Sequence, residues 1–340
     1  MNNRQVGAAQ ILVTLASLVL VLAGLQAAKA ILVPFLLAAF IAIISTSPMT
    51  WLQRKGLPTW LALLMVILVV LLFGLLMAGL IGTSVRDLSG SLPEYEAKLR
   101  ELTTVTVGWL QKLGLNISVS VVTELLDPAA AMKLVATLLN ALGSMLTNGF
   151  LVLMTVVFML LEASSFPVKL RTILGGDSSL GRFEFFINNV KHYMFIKTLV
   201  SLATGVLVTV MVATLGVDLP LLWGLLAFAL NFVPNIGSAI AGLPAVLLTL
   251  VQLGPLRALM VAVGYVVINL LMGSMLEPRF LGRGLGLSTL VVFLSLLFWG
   301  WLLGPVGMLL SVPLTMTAKI ALDSRDDTRW LAILLGAETS

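Results

Sequence analysis

Between Trp60 and Ile81 the chain carries no charged residue. A helix needs about 20 apolar residues to cross the hydrocarbon core of a bilayer, and this stretch is long enough. No soluble layer architecture easily covers a helix that is apolar all round. Five further apolar stretches join it: Ile11–Ala28, Ile31–Ile44, Leu134–Leu161, Thr198–Leu215 and Leu256–Met275. Of the 340 residues, 59% are hydrophobic and 10% are charged. Soluble domains run near 45–50% and 25%. That contrast excludes a soluble enzyme and a disordered chain. The absence of cysteine excludes a disulfide scaffold, an iron–sulfur centre and a thiol nucleophile. The single histidine, His192, excludes a multi-histidine metal site.

The expected fold is therefore an all-α polytopic membrane protein with about six spanning helices. Ile11–Ala28 and Ile31–Ile44 are separated by little more than Lys29 and read as a tight hairpin, with Pro34 in the first turn of the second helix. Ala28-Lys29-Ala30 also resembles a signal-peptide cleavage site. A second span follows at once, so a retained helix is the simpler reading. The chain divides into membrane helices at 1–85, an amphipathic segment at 86–133, a membrane helix at 134–162, a second amphipathic segment at 163–197, a core at 198–322 and a tail at 323–340.

The two amphipathic segments differ in charge. Leu88, Leu92, Tyr95, Leu99 and Leu102 make a narrow apolar stripe, continued by Trp109 and Leu113. That stripe suits either the membrane surface or a partner subunit. Asp127-Pro128 has the form of an N-cap followed by proline at the first helical position. Phe183, Phe186, Ile187, Val190, Tyr193 and Met194 share one face of the second segment. Residues 86–133 hold five basic and six acidic residues, whereas 163–197 holds the basic Lys169, Arg171, Arg182, Lys191 and Lys197. Arg54, Lys55, Arg279 and Arg283 fall on the same side as that second segment. The positive-inside rule then puts both termini in the cytoplasm and 86–133 outside. The formal net charge of +5 thus serves orientation, and without a run of basic residues it does not indicate nucleic acid.

Two apolar stretches are interrupted. Trp223–Val251 is broken by Asn231, Pro234, Asn235, Gly237, Ser238 and Pro244. Leu287–Ala321 is broken by Gly304, Pro305, Gly307 and Pro313. The shorter pieces suit re-entrant helices. Irregular backbone at membrane depth is tolerated only where protein or a water-filled cavity surrounds it. Transporters use such breaks to hold solutes, and paired interruptions point to the binding site. Asn231, Asn235 and Ser238 are accordingly candidate substrate-binding groups. The competing reading is a kinked helix whose amides tie neighbours together.

A second constellation, Glu277-Pro278-Arg279, interrupts hydrophobic sequence just after a span and leads into Gly282, Gly284, Gly286, Ser288 and Thr289. Ionisable residues in such places are costly and commonly functional. Glu277, Arg279 and Ser288 join the candidate substrate groups, with Gly284 and Gly286 as candidate hinges. An ordinary cytoplasmic loop with a salt bridge is the alternative, and Ser288 or Thr289 could simply cap the next helix. Asn269, inside the last clean span, either faces the same cavity or bonds a neighbouring helix. Nucleotide, serine-hydrolase and zinc-protease motifs do not occur, so neither an enzyme, a metal nor a cofactor is expected.

Residues 223–244 (WGLLAFALNFVPNIGSAIAGLP) and 276–315 (LEPRFLGRGLGLSTLVVFLSLLFWGWLLGPVGMLLSVPLT) resemble the autoinducer-2 exporter family. So do Leu32-Val33-Pro34-Phe35, Leu92-Pro93-Glu94-Tyr95 and the 127–132 stretch, so the resemblance covers nearly the whole chain. It implies export of a small hydroxyl-rich furanone-type quorum-sensing signal across the bacterial inner membrane. It further implies a homo-oligomer, expected to be a pentamer, and two substrate-handling hairpins near 219–252 and 287–321 that move in an elevator-like way. Other branches of this family are linked to sodium–proton exchange, which leaves cation–proton antiport open. A non-transport membrane scaffold is a third reading.

Overall fold

The computed structural model describes residues 3–112, 137, 149–162, 177–234, 237–281, 286–323 and 327–336. The described residues are helical with turns between and contain no strand. In chain order the helices are α1 (Asn3–Ala27), α2 (Lys29–Arg54), α3 (Thr59–Lys112), α4 (Gly149–Glu162), α5 (Asp177–Thr214), α6 (Pro220–Leu230), α7 (Gly237–Leu253) and α8 (Pro255–Asn269). A π-helical segment, Leu270–Leu276, continues α8 into α9 (Glu277–Leu281). Then come α10 (Thr289–Leu303), α11 (Pro305–Leu309), α12 (Ser311–Asp323) and α13 (Arg329–Leu334).

Four helical stretches among the described residues are long and apolar enough to cross a membrane: Lys29–Arg54, Thr59–Ser84, Asn188–Thr214 and Pro255–Phe280. Their side chains face outward: Leu68, Val69, Leu75 and Leu76 on α3 are all more than half exposed. Water would penalise so large an apolar surface, and lipid tails would not. Much of the 134–161 stretch lies outside the described residues, and α4 is its helical end. Asp127 and Pro128 also lie outside them.

The two amphipathic segments do not end where the spans begin. α3 runs unbroken for 54 residues, through its spanning part and on to Lys112. α5 likewise runs for 38 residues from the polar Asp177 to Thr214. Composition marks where the surroundings of a helix change. The backbone stops only where Pro, Gly or an unmet cap intervenes. Here α6, α8 and α11 each open on a proline at the first helical position, where its missing N–H is harmless.

The chain forms two compact units. One comprises residues 51–149 and 191–285. Its core joins Val208 and Val212 of α5, Trp223 and Leu226 of α6, Ala241 and Ala245 of α7, and Val261 of α8. α6 and α7 form the first hairpin. At 1.5 Å per residue the 11 residues of α6 span about 16 Å, roughly half the hydrocarbon thickness. α6 meets α5 backbone to backbone. A Cβ on Gly224 would lie 1.8 Å from Thr209 Oγ1, and one on Gly205 would lie 2.8 Å from the Gly224 carbonyl.

The other unit comprises residues 1–50, 150–190 and 286–340. It contains the second hairpin, α10 to α12, reversed at the short α11. Trp299 Nε1 donates to Thr315 Oγ1 across this hairpin at 2.9 Å. α13 packs against α12, and the Ser288 N–H donates to the Leu335 carbonyl at 3.2 Å, fixing the entrance of the hairpin.

Gly237, which opens α7, has no room for a side chain, because a Cβ would lie 1.7 Å from the Leu230 carbonyl oxygen. Gly237→Ala should therefore destabilise the protein by about 1–3 kcal/mol, the usual cost of overpacking. Gly79→Ala, on a face of α3 with nothing within 4 Å, should change stability by no more than about 0.5 kcal/mol. Thermal unfolding of the two purified variants checks both, and equal stability would overturn the assignment of Gly237 as a close-approach position.

Candidate functional site

The site is organised by one face of α5. Lys197, Ser201 and Thr204 follow at steps of four and three, so they stack along the helix. All three are buried, with exposures of 5%, 0% and 4%. A polar side chain removed from water needs a partner. Thr204 Oγ1 finds one on its own helix, donating to the Val200 carbonyl at 2.9 Å. The other two reach across to different elements.

Lys197 Nζ donates to both carboxylate oxygens of Glu277, at 2.7 Å and 2.8 Å. The exposures of the two side chains are 6% and 15%. Apolar Ile196, Val200 and Met272 pack together beside this pair. One turn further along α5, Ser201 Oγ accepts from Asn231 Nδ2 at 2.9 Å. Asn231 ends α6, at the tip of the first hairpin, and is itself buried. Asn231 and Glu277 thus meet the same helix within one turn, about 6 Å along its axis. Ser201 is the middle residue of the 27-residue stretch Asn188–Thr214. By length, the Ser201 contact lies about 20 Å from either end of that span, whereas Lys197 lies about 14 Å from its start and Glu277 about 5 Å from the end of Pro255–Phe280. The half-span length of α6 agrees with the depth of the Ser201 contact.

The π-helical segment sets the direction of Glu277. Its seven residues directly precede the glutamate, whose N–H donates to the Met272 carbonyl five residues back. A π-turn widens the helix and shifts the register of everything after it, and such segments often mark functional positions. Asn269 stands at its start, with its side-chain oxygen lying along the same helix beside Gly273.

The remaining candidates are arranged differently. Arg279 is exposed on α9. Ser238 is half-buried in the first turn of α7. Asn235 and Gly284 lie outside the described residues. Ser288 caps α10: its Oγ accepts from the Val291 N–H at 3.2 Å. Pro234 lies in the turn after α6, and Pro244 is buried inside α7. Gly286 has a positive φ of 64°, and its carbonyl accepts from Lys319 Nζ. Gly304, with φ 75°, ends α10, and Pro305 starts α11. Gly307 packs against the Trp299 carbonyl, and Pro313 is buried near the start of α12.

Lys197 and Ser201 were missed as site residues from the sequence. Lys197 reads there as one of five orientation charges, whereas the fold buries it against a carboxylate. The available signal was the run Lys197, Ser201, Thr204 at helical spacing in an otherwise apolar stretch. A cavity of about 440 Å³ also borders this region. His192 is its one ionisable lining residue, and the rest, including Phe195, Leu199, Met272 and Phe280, are apolar. A polar solute is better matched by the Lys197, Glu277, Asn231 and Ser201 groups, which together offer charged and neutral donors and acceptors.

Residues 15–325 match the family model described as AI-2E family transporter. The AI-2 transport protein TqsA of Escherichia coli K12 is 42% identical over 327 residues, covering 96% of this chain and 95% of the relative. A putative transport protein of Haemophilus influenzae is 39% identical over 332 residues, with 96% and 95% covered. The putative transport protein YrrI of Bacillus subtilis is 27% identical, with 86% of each chain covered. With its apolar spanning helices, its broken hairpins and this match over most of its length, the chain is a membrane transporter and belongs to the AI-2E transporter family.

Proposed function

We propose that this protein exports autoinducer-2 across the bacterial inner membrane, by secondary or passive transport in which the hairpins move in an elevator-like way. One observation carries the reading: a cationic donor, an anionic acceptor, an amide and a hydroxyl converge on one turn of α5 within the spanning stretch. A solute that enters between Lys197 and Glu277 must accept from the ammonium and donate to the carboxylate. A hydroxyl does both with one atom. A metal cation would satisfy Glu277 and leave Lys197 buried without a partner, which is costly. The name of the E. coli relative agrees with the choice of solute. Both termini lie in the cytoplasm, residues 86–133 lie outside, and the working assembly is a homo-oligomer, expected to be a pentamer. The protein is not an enzyme.

The Lys197–Glu277 pair also supports a second reading, cation–proton antiport with Glu277 as the titrating acid. That reading requires Lys197 to give up its proton, or to find another anion, whenever Glu277 holds a cation.

The function is tested by the external signal level in a strain lacking this protein, which should fall and recover on re-expression. Unchanged internal and external levels would overturn it. In liposomes, ion-driven proton flux without movement of the signal would favour antiport instead.

The ion pair itself gives a sharper test. Removing one partner leaves a buried charge, so Lys197→Met and Glu277→Gln should each destabilise by about 3–5 kcal/mol. The double variant Lys197→Met/Glu277→Leu should recover most of that loss, because an apolar replacement of a buried pair is often neutral. It should nevertheless transport at least about tenfold more slowly, as expected if the site loses about 1.4 kcal/mol of solute interaction. Wild-type flux from a well-folded double variant would make the pair purely structural.

A further inference from the structure

At the end of the first hairpin opposite its tip, one residue gathers bonds from three helices. The Asp218 carbonyl accepts from Trp223 Nε1 of α6 at 2.8 Å. The Asp218 N–H donates to Gln252 Oε1 of α7 at 3.1 Å. Its carboxylate accepts from the Tyr95 hydroxyl at 2.8 Å, and Tyr95 lies on α3, 11 residues beyond the spanning stretch that ends at Ser84. Tyr95 is 4% exposed. Burial, and then the hydrogen bond to Asp218, push its hydroxyl up to about 12, so it remains a proton donor at neutral pH.

The backbone around this node has the conformations of a hinge. Gly216 has φ 76° and Leu219 has φ 58°, and Leu219 is the one non-glycine residue with positive φ among the described residues. A left-handed leucine is strained, and such strain persists only where the surroundings impose it. Gly254, at the far end of α7, has φ 85°. Both legs of the hairpin therefore join the rest of the unit through left-handed or glycine-only turns. Behind the hairpin, the ring of Tyr265 packs against Gly242 of α7, and its hydroxyl is buried with no hydrogen-bond partner among the described residues. An orphaned hydroxyl disfavours the position that buries it.

We infer that Asp218 is a latch on the hinge itself: through Tyr95 it pins the Gly216–Leu219 turn to the extension of α3, and breaking that bond frees this turn to act, with Gly254, as the pivot of the first hairpin. The inference rests on the reading that this hairpin moves during transport. The orphaned Tyr265 hydroxyl favours release, because movement lets water or solute reach it, and the Tyr95 bond opposes release. Two residues outside the polar site thereby set how long the hairpin stays docked.

The chain contains no cysteine, so one introduced cysteine is a unique reporter. Ala241 of α7 is fully buried while the hairpin is docked. With Ala241→Cys as background, maleimide labelling in membrane vesicles should speed up by as much as about tenfold on adding Tyr95→Phe, the shift one net hydrogen bond carries. Asp218→Ala should match it, because the bonds to Trp223 and Gln252 use only the main chain. Asp218→Asn keeps an acceptor for Tyr95 and should restore the slow rate. Tyr265→Phe should act in the opposite direction and slow labelling. Each variant is first checked for an unchanged size-exclusion profile, and Asp218→Asn serves as the folded control. Equal labelling rates across the series, with signal export intact, would overturn the latch and leave the exporter reading standing. Shifted rates in a protein that exports no signal would keep the latch and remove the solute.

Discussion

Hydrocarbon offers no hydrogen bonds, so every polar group that this chain carries into the membrane must find a partner within the protein. That constraint accounts for where its few polar side chains sit, with the buried Tyr265 hydroxyl as the exception among the described residues. Lys197 and Glu277 occupy each other, and so do Ser201 and Asn231. Trp299 and Thr315 do the same in the other unit, while Thr204 and Thr249 turn back onto their own helices. The apolar side chains are free to face outward, and many do so. Fold and candidate site are thus one problem, because the polar pairs that tie helices together are also the groups a solute would meet.

The parts of this organisation that could be read from the sequence are those set by local chemistry. Long apolar runs, prolines at helix starts and the Gly304–Pro305 break each act through their own backbone or side chain. A proline cannot supply an N–H, and φ 75° suits glycine. Pairings across the fold were less legible. Nothing near Lys197 reveals that Glu277, 80 positions away, will meet it. A lysine at the edge of a polar segment resembles an orientation charge until the helix is seen to continue. The π-helical turn was also hidden, since Leu270–Leu276 reads as ordinary apolar helix. Ser288 was legible in part: its place after a glycine-rich stretch offered either a solute group or a cap for the next helix, and its hydroxyl caps α10.

The pair between Lys197 and Glu277 contributes little that an apolar pair would not. Taking two charges out of water costs about as much as their attraction returns, and apolar substitutes of similar volume are often as stable. A chain with only 10% charged residues that nevertheless withdraws two of them from water therefore uses them for something other than stability. Their geometry suggests what. The ammonium donates to both oxygens of the carboxylate, so each group is the other's partner in this state. A solute that parts them must provide equivalent bonds on both sides. On the proposed reading, that requirement favours neutral molecules carrying several hydroxyls over ions.

The same reasoning separates what can move from what cannot. Within the first hairpin, Trp223, Leu226, Ala241 and Ala245 belong to one buried core, and pulling α6 from α7 would expose them all. Displacing the hairpin as a body demands less. Its tip holds α5 through the Asn231–Ser201 bond, and its base holds α3 through Tyr95 and Asp218. Each such bond is worth about 0.5–1.5 kcal/mol net. Between these two ends, α6 crosses α5 at Gly205 and Gly224, whose missing side chains make room for Phe228 and Thr209. The same buried core also takes in Ile81 of α3, Val208 and Val212 of α5 and Val261 of α8, so any displacement of the hairpin exchanges apolar contacts as well as these two bonds. On the proposed reading, a hairpin held this way moves by trading one apolar surface for another, while the α6–α7 interface stays intact.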